Sequence, residues 1–180
     1  MQTFQNTVTI ARPAEEVFAF LADLQNIPKW NYAIERTVQT SPGPAAVGAT
    51  YRQTRTIPRR SEESLEITVF EPPNRLTVRG RIGTFNATTS YLLKPATGGT
   101  QLTNDVELEP VSVLLRPIVP LAVPRITAAV ARNLSTLKEL LESVRRLPKA
   151  VRHIRDRAKR SARPASRPAS RRSPCSSCGP

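Results

Sequence analysis

The sequence predicts an α+β fold: a seven-stranded antiparallel curved sheet wrapped around a long C-terminal helix, with two short helices after strand 1. Three observations lead there. Apolar and polar residues alternate in seven short segments between Thr7 and Glu109, the period of a half-buried strand. Turn-forming clusters separate the last six segments without any helical pattern between them, which marks an antiparallel meander rather than βαβ units. From Ile126 the period changes: Ile126, Val130, Leu134, Leu137, Leu141 and Val144 form one apolar stripe over about five helical turns.

The first strand, Thr7 to Ala11, puts Val8 and Ile10 on one face. Arg12-Pro13 breaks it, and Pro13, with a preset φ and no N–H to lose, opens a helix. Glu15 and Glu16 suit the positive end of its dipole, and Val17, Phe18, Phe20, Leu21 and Leu24 recur at helical spacing, so the helix spans 14–23. Gln25-Asn26-Ile27-Pro28 stops it, and a second short helix carries the chain past Lys29-Trp30. Strands at 33–40 and 49–57 flank the turn Ser41-Pro42-Gly43-Pro44. Leu65, Ile67 and Val69 alternate in a fourth strand that ends at Glu71-Pro72-Pro73-Asn74. Leu76 and Val78 mark a fifth, with Gly80 and Gly83 bracketing a bend. In the sixth, 84–93, Phe85, Ala87, Thr89, Tyr91 and Leu93 share a face. A hairpin loop at 96–99 leads to the seventh, where Leu102, Asn104, Val106 and Leu108 oppose Thr103, Asp105, Glu107 and Glu109. Pro117, Pro120 and Pro124 leave the onset of the last helix open.

A chain of 180 residues with 39% hydrophobic content suits one domain plus an appendage. The division is expected at 146/147. Residues 1–146 hold 17 Lys/Arg against 13 Asp/Glu, whereas 147–180 hold ten against one, so the net +13 belongs mainly to the tail. No run of about 18 apolar residues spans a membrane, and no basic-then-apolar leader precedes the first strand. The expected location is the cytoplasm, with membrane association through the tail as an added reading.

The order strand, two short helices, six strands, long helix resembles the START-like superfamily, also called SRPBCC, of polyketide cyclase/dehydrase and lipid-transport proteins. The residues that carry the resemblance are Arg12-Pro13-Ala14-Glu15-Glu16-Val17-Phe18 and Leu24-Gln25-Asn26-Ile27-Pro28-Lys29-Trp30. Gly48, Phe70-Glu71-Pro72-Pro73, and the segment 134–142 also carry it. It covers about residues 2–146 and implies a helix-grip fold with an apolar cavity between sheet and helix. It leaves function open, because carriers, cyclases, hydroxylase domains and stress proteins share that scaffold.

A long helix laid across a concave sheet covers it incompletely, and mostly apolar gaps of that kind are the usual small-molecule sites. Candidate walls are Trp30, Tyr51, Phe85 and Tyr91 on the sheet side and Val130, Leu134, Leu137 and Leu141 on the helix. Each also reads as ordinary core. Trp30, following a helix break, is expected at the rim. Tyr51, Gln53, Arg55 and Ile57 share one face of the third strand. If that face is inward, Gln53 and Arg55 enter the cavity and Arg55 needs a partner. If the parity is reversed, or the strand is an edge, Arg55 is solvated, the commoner state of an arginine. Asn104 is a further inward polar candidate. Glu62, Glu63, Glu107 and Glu109 are expected on solvated faces.

The lone histidine, His153, falls in the tail, which removes Ser-His-acid, Cys-His and histidine-based zinc sites from the domain. No cofactor and no metal are expected. Cys175 and Cys178 form a CxxC without a helix start or further ligands nearby in sequence and read as incidental. Arg152, Arg155, Arg157, Lys159 and Arg160 begin a basic arm, partly helical and then disordered, that suits an anionic membrane surface or non-specific nucleic acid, or serves only as a solubilising extension. The expected function is binding or transport of a hydrophobic small molecule such as a lipid, quinone, isoprenoid or polyketide. The alternatives are a cyclase or dehydratase acting through pocket Tyr and Arg groups, and a docking module acting through the tail.

Overall fold

The computed structural model describes residues 1–82, 84–112, 114 and 119–143. Its strands are β1 (Gln2–Ile10), β2 (Ile34–Gln39), β3 (Thr50–Arg55), β4 (Ser61–Glu71), β5 (Arg75–Ile82), β6 (Phe85–Ala96) and β7 (Gly99–Pro110). They form one antiparallel sheet in the order β1-β7-β6-β5-β4-β3-β2. The last six pair as consecutive neighbours, as the turn-punctuated alternation predicts. β1 and β2, adjacent in sequence, stand at opposite edges, and the chain crosses between them through α1 (Ala14–Ala22) and a 3-10 helix (Leu24–Lys29). The segment read as a helix stop, Gln25 to Pro28, is itself that second helix, with Pro28 inside it. The Asp23 carboxylate caps it by accepting from the Gln25 N–H at 3.1 Å.

The final helix, α2, spans Val119–Ser143 and contains Pro124. Its onset lies earlier than the stripe alone indicates, because Pro120 falls in the first turn, where a missing N–H costs nothing. Val144, the predicted helical extension and disorder of 147–180, the basic cluster from Arg152 to Arg160, His153, Cys175 and Cys178 all lie outside the described residues.

Two irregularities shape the sheet. One sits between Ile34 and Arg36 in β2, the other between Ile67 and Val69 in β4. The extra residue in β4 changes which face the following side chains occupy. Val69 therefore does not continue the inward set of Leu65 and Ile67. Phe70 takes that role, opposite the fully buried Leu76, and meets Phe18 of α1 edge-on at 5.3 Å. Gly80 is also placed differently from expectation. It lies within β5 rather than at a bend, and a Cβ there would overlap the Leu65 side chain. Gly80 thus lets two strands keep their register beneath a leucine.

The core forms two clusters. The larger joins Ile10, Ile67, Leu76 and Leu102 of the sheet to Val17 and Leu21 of α1 and to Leu134, Leu137 and Leu141 of α2. The smaller joins Phe85, Ala87, Val106 and Leu108 to Val119, with Ala122, Val123 and Ile126 packed on it. The C-terminal part of α2 is also held by polar links to the end of β1. Arg12 Nε donates to the Leu141 carbonyl at 2.9 Å, supplying one of the partners a helix end lacks. Glu142 Oε1 accepts from the Ala11 N–H at 2.8 Å, and Lys138 Nζ donates to the Thr9 carbonyl.

The hairpin between β6 and β7 turns on Thr97 and Gly98, with Gly98 at φ +83° and Ala96 paired to Gly99. The hairpin lies against the end of β1, and a Cβ on Gly99 would press into the Ile10 carbonyl oxygen and the Ala11 Cα. Backbone cannot swing aside as a side chain can. Gly99→Ala should therefore lower stability by about 2–3 kcal/mol, read as a lower denaturation midpoint with an unchanged slope. A neutral result would show that the β1 end moves freely.

Candidate functional site

Between the two core clusters the concave face and α2 do not meet, and a cavity of about 100 Å³ remains. Val130, Asn133 and Leu134 of α2 form one wall. Strands β3 to β7 form the opposite wall, and Leu21, Leu24, Ile27 and Trp30 close one side. That side is built by the capped 3-10 helix, braced where Asn26 Nδ2 donates to the Phe20 carbonyl at 3.0 Å. Trp30 is buried and meets Tyr91 edge-on, with ring centroids 6.4 Å apart.

Of the side chains expected at the cavity from sequence, Trp30, Gln53, Arg55, Tyr91, Asn104, Val130 and Leu134 lie on it. Tyr51, Leu137 and Leu141 do not. They pack within the larger cluster, and Phe85 packs within the smaller one, where sheet and helix close on each other. Asn133 escaped the sequence reading because the α2 stripe was traced through apolar residues alone. Its position three after Val130 and four before Leu137 places it on the same stripe.

The inward parity of β3 is settled by burial. Tyr51, Gln53 and Arg55 are buried on the cavity side, whereas on the other face Thr50 and Arg52 are exposed and Thr54, though buried, bonds the outward Glu62. Arg55 is matched by a residue expected to be solvated. Glu63 is buried, and its Oε1 accepts from Arg55 Nε at 2.8 Å. Its Oε2 accepts from Gln53 Nε2 at 2.7 Å across the β3–β4 register. The parity explains the correction: Glu63 shares a strand face with Leu65 and Ile67, whereas Glu62 turns outward and accepts from Thr54 Oγ1 at 2.6 Å. Glu107 and Glu109 are exposed as expected.

Asn104 is 1% exposed, and neither its Nδ2 nor its Oδ1 has a hydrogen-bond partner. The Oδ1 of Asn133, on the facing helix, is likewise buried and unpaired. A buried polar group left unmatched costs a fold about 1–3 kcal/mol. Two such residues on one cavity mean that it is chemically two-sided: apolar over most of its wall, with hydrogen-bonding capacity in reserve. Burial raises the Tyr91 phenol well above its ordinary value. Burial also raises Tyr51, and the charge of Asp23 adds to that shift. Among the described residues no group of three or more His, Cys, Asp and Glu side chains is assembled. None of the described helices is long and apolar enough to cross a membrane.

A family model described as polyketide cyclase/dehydrase and lipid transport matches residues 1–142. No curated protein sequence matches the chain. Among solved structures, the protein TTHA0849 from Thermus thermophilus is 16% identical with a TM-score of 0.64, over 79% of this chain and 99% of its own. A START superfamily protein from Mycobacterium smegmatis is also 16% identical with a TM-score of 0.64, over 77% and 98%. The di-domain ARO/CYC StfQ of the steffimycin biosynthetic pathway reaches 0.66 at 13% identity, over 81% of this chain and 52% of that longer one. At these identities the structural likeness speaks for the fold alone.

Removing one member of a buried ion pair strands the other. Arg55→Met should cost about 3–5 kcal/mol, and the double variant Arg55→Met/Glu63→Leu should recover most of it. Chemical denaturation of both variants checks this. A mild single variant would mean that water reaches the pair. The raised phenols carry a pH signature of their own. The folded form holds the Tyr51 and Tyr91 protons more tightly than the unfolded chain, so their contribution is complete below about pH 10 and is lost as pH rises beyond it. Tyr91→Phe should flatten the alkaline fall of the unfolding midpoint.

Proposed function

Because this chain belongs to the polyketide cyclase/dehydrase and lipid-transport family of the START-like superfamily, we propose that it binds a hydrophobic small molecule between its sheet and α2 and carries it intact. The observation that carries the reading is the divided core. A domain this size gains stability by packing α2 against the sheet along its whole length. Here an interval between two packed clusters is left open, lined mainly by apolar groups and furnished with unpaired amides.

The preference for carrying over converting rests on the state of the polar groups. Arg55 is bound to Glu63, and burial keeps the Tyr91 phenol protonated, so neither is poised to take up a proton. The cavity of about 100 Å³ is smaller than the roughly 150 Å³ that accommodates benzene and well below the roughly 300–1,000 Å³ of ordinary ligand sites. A drug-sized ligand therefore enters only if α2 shifts, and its N-terminal half, secured by the smaller cluster, is the part to shift.

Organic extraction of the full chain purified from its natural host, followed by mass spectrometry, should yield a bound apolar compound that returns unchanged after incubation with fresh protein. Adding it at a hundredfold excess over its Kd should stabilise the protein by about 2.7 kcal/mol. Extracts that contain nothing bound, together with an unfolding midpoint insensitive to apolar compounds, would end the reading. A compound returned with rings closed or water lost would replace the carrier with a cyclase.

A further inference from the structure

We infer that the cavity selects an uncharged ligand bearing a hydroxyl-type group, and that Asn104 of β7 and Asn133 of α2 are the residues that read it. The inference rests on the ligand-binding reading above and makes it more specific.

Two features of the cavity wall exclude charge. Its buried cation, Arg55, is already bonded to Glu63 at 2.8 Å, and Gln53 holds the other carboxylate oxygen at 2.7 Å. The side chains of Arg55 and Glu63 are 10% and 3% exposed, so neither charge is spread into solvent. An incoming carboxylate would face a cation whose partner sits within a strand's width of it. It would have to break that bond or remain unmatched in a low-dielectric space. Arg81, the other cation on the cavity wall, is exposed, where water competes for any anion.

The remaining polar capacity is amide. Asn104 presents an unpaired NH2 group and an unpaired carbonyl oxygen, and rotating its amide by half a turn exchanges the atoms without changing that offer. Asn133, from the opposite wall, adds an unpaired acceptor. A carboxylate has acceptors only and would leave both Oδ1 atoms unmatched. An ammonium has donors only and would leave the Asn104 Nδ2 unmatched. A hydroxyl has both, since its oxygen accepts from Nδ2 while its proton goes to an Oδ1. Selectivity of this sort is steep, because the wrong head group leaves buried partners unpaired.

Single-ring probes exceed the cavity of about 100 Å³ only slightly, so they test the chemistry with the least movement of α2. Toluene, benzyl alcohol and benzoate share a ring and differ in the head. In NMR titrations of the full chain at neutral pH, benzyl alcohol should bind about tenfold more tightly than toluene, and benzoate most weakly. Asn104→Leu should bring benzyl alcohol down to the affinity of toluene, leave toluene binding in place, and raise the unfolding midpoint of the ligand-free protein. That last change is opposite in sign to the loss of a structural hydrogen bond. Asn133→Leu should reduce the alcohol preference independently, which keeps the test decisive if the first variant folds poorly. Equal binding of toluene and benzyl alcohol, tightest binding of benzoate, or an alcohol preference that survives both substitutions would overturn the inference and leave the ligand-binding reading standing. Failure of all three probes to bind would overturn the inference, and empty host extracts beside it would overturn the ligand-binding reading as well.

Discussion

One helix cannot follow a curved sheet along its full length, and the other features of this domain answer to that mismatch. α2 meets the sheet closely at two places, giving two core clusters, and stands off between them. The bulge in β4 belongs to the same geometry. It bends the sheet, and by changing parity it hands the inward position to Phe70, which α1 then covers through Phe18. Gly80 lets β5 pass close to Leu65 where the sheet floor borders the cavity. Had the clusters merged, the domain would be more stable and would enclose nothing.

The polar residues inside fall into two groups with different physics. Arg55, Glu63 and Gln53 satisfy one another across two strands, so they fix the β3–β4 register at little net gain in stability. Asn104 and Asn133 leave hydrogen-bonding capacity unspent. The first group belongs to the fold, and the second is the polar capacity on which the proposed ligand binding rests. Asn104 and Asn133 are the members of the unpaired buried set that line the cavity, whereas Asn6, Arg12 and Thr37 lie elsewhere.

The fold was legible because period and punctuation suffice for an antiparallel meander. Leu102, Asn104, Val106 and Leu108 are buried in strict alternation, and the α2 stripe repeats through Leu134, Leu137 and Leu141, all of them buried. The candidate site was legible only in part, because a cavity is where packing stops, and periodicity reports packing. Tyr51 and Leu137 are the same residue types as Tyr91 and Leu134, yet they lie inside the larger cluster and off the cavity. Glu63 was misjudged by residue type, although its parity with Leu65 and Ile67 already pointed inward; its burial depends on Gln53 and Arg55 from the neighbouring strand, which only the register supplies. Phe70 required the bulge, which leaves no mark in the alternation itself.

The two ends of α2 are secured unequally. Arg12, Lys138 and Glu142 join the C-terminal end to β1 above the larger cluster. The N-terminal end rests through Val119 on four buried sheet residues and contains Pro124, which withholds an N–H from the carbonyl one turn earlier. Local opening of a protein follows such gradients and costs least where the buried apolar area is smallest. Amide hydrogens in the first turns of α2 should therefore exchange through a partial opening that leaves the sheet and the C-terminal turns intact. An opening that travelled as far as Val130, the first α2 residue on the cavity wall, would uncover one side of the cavity.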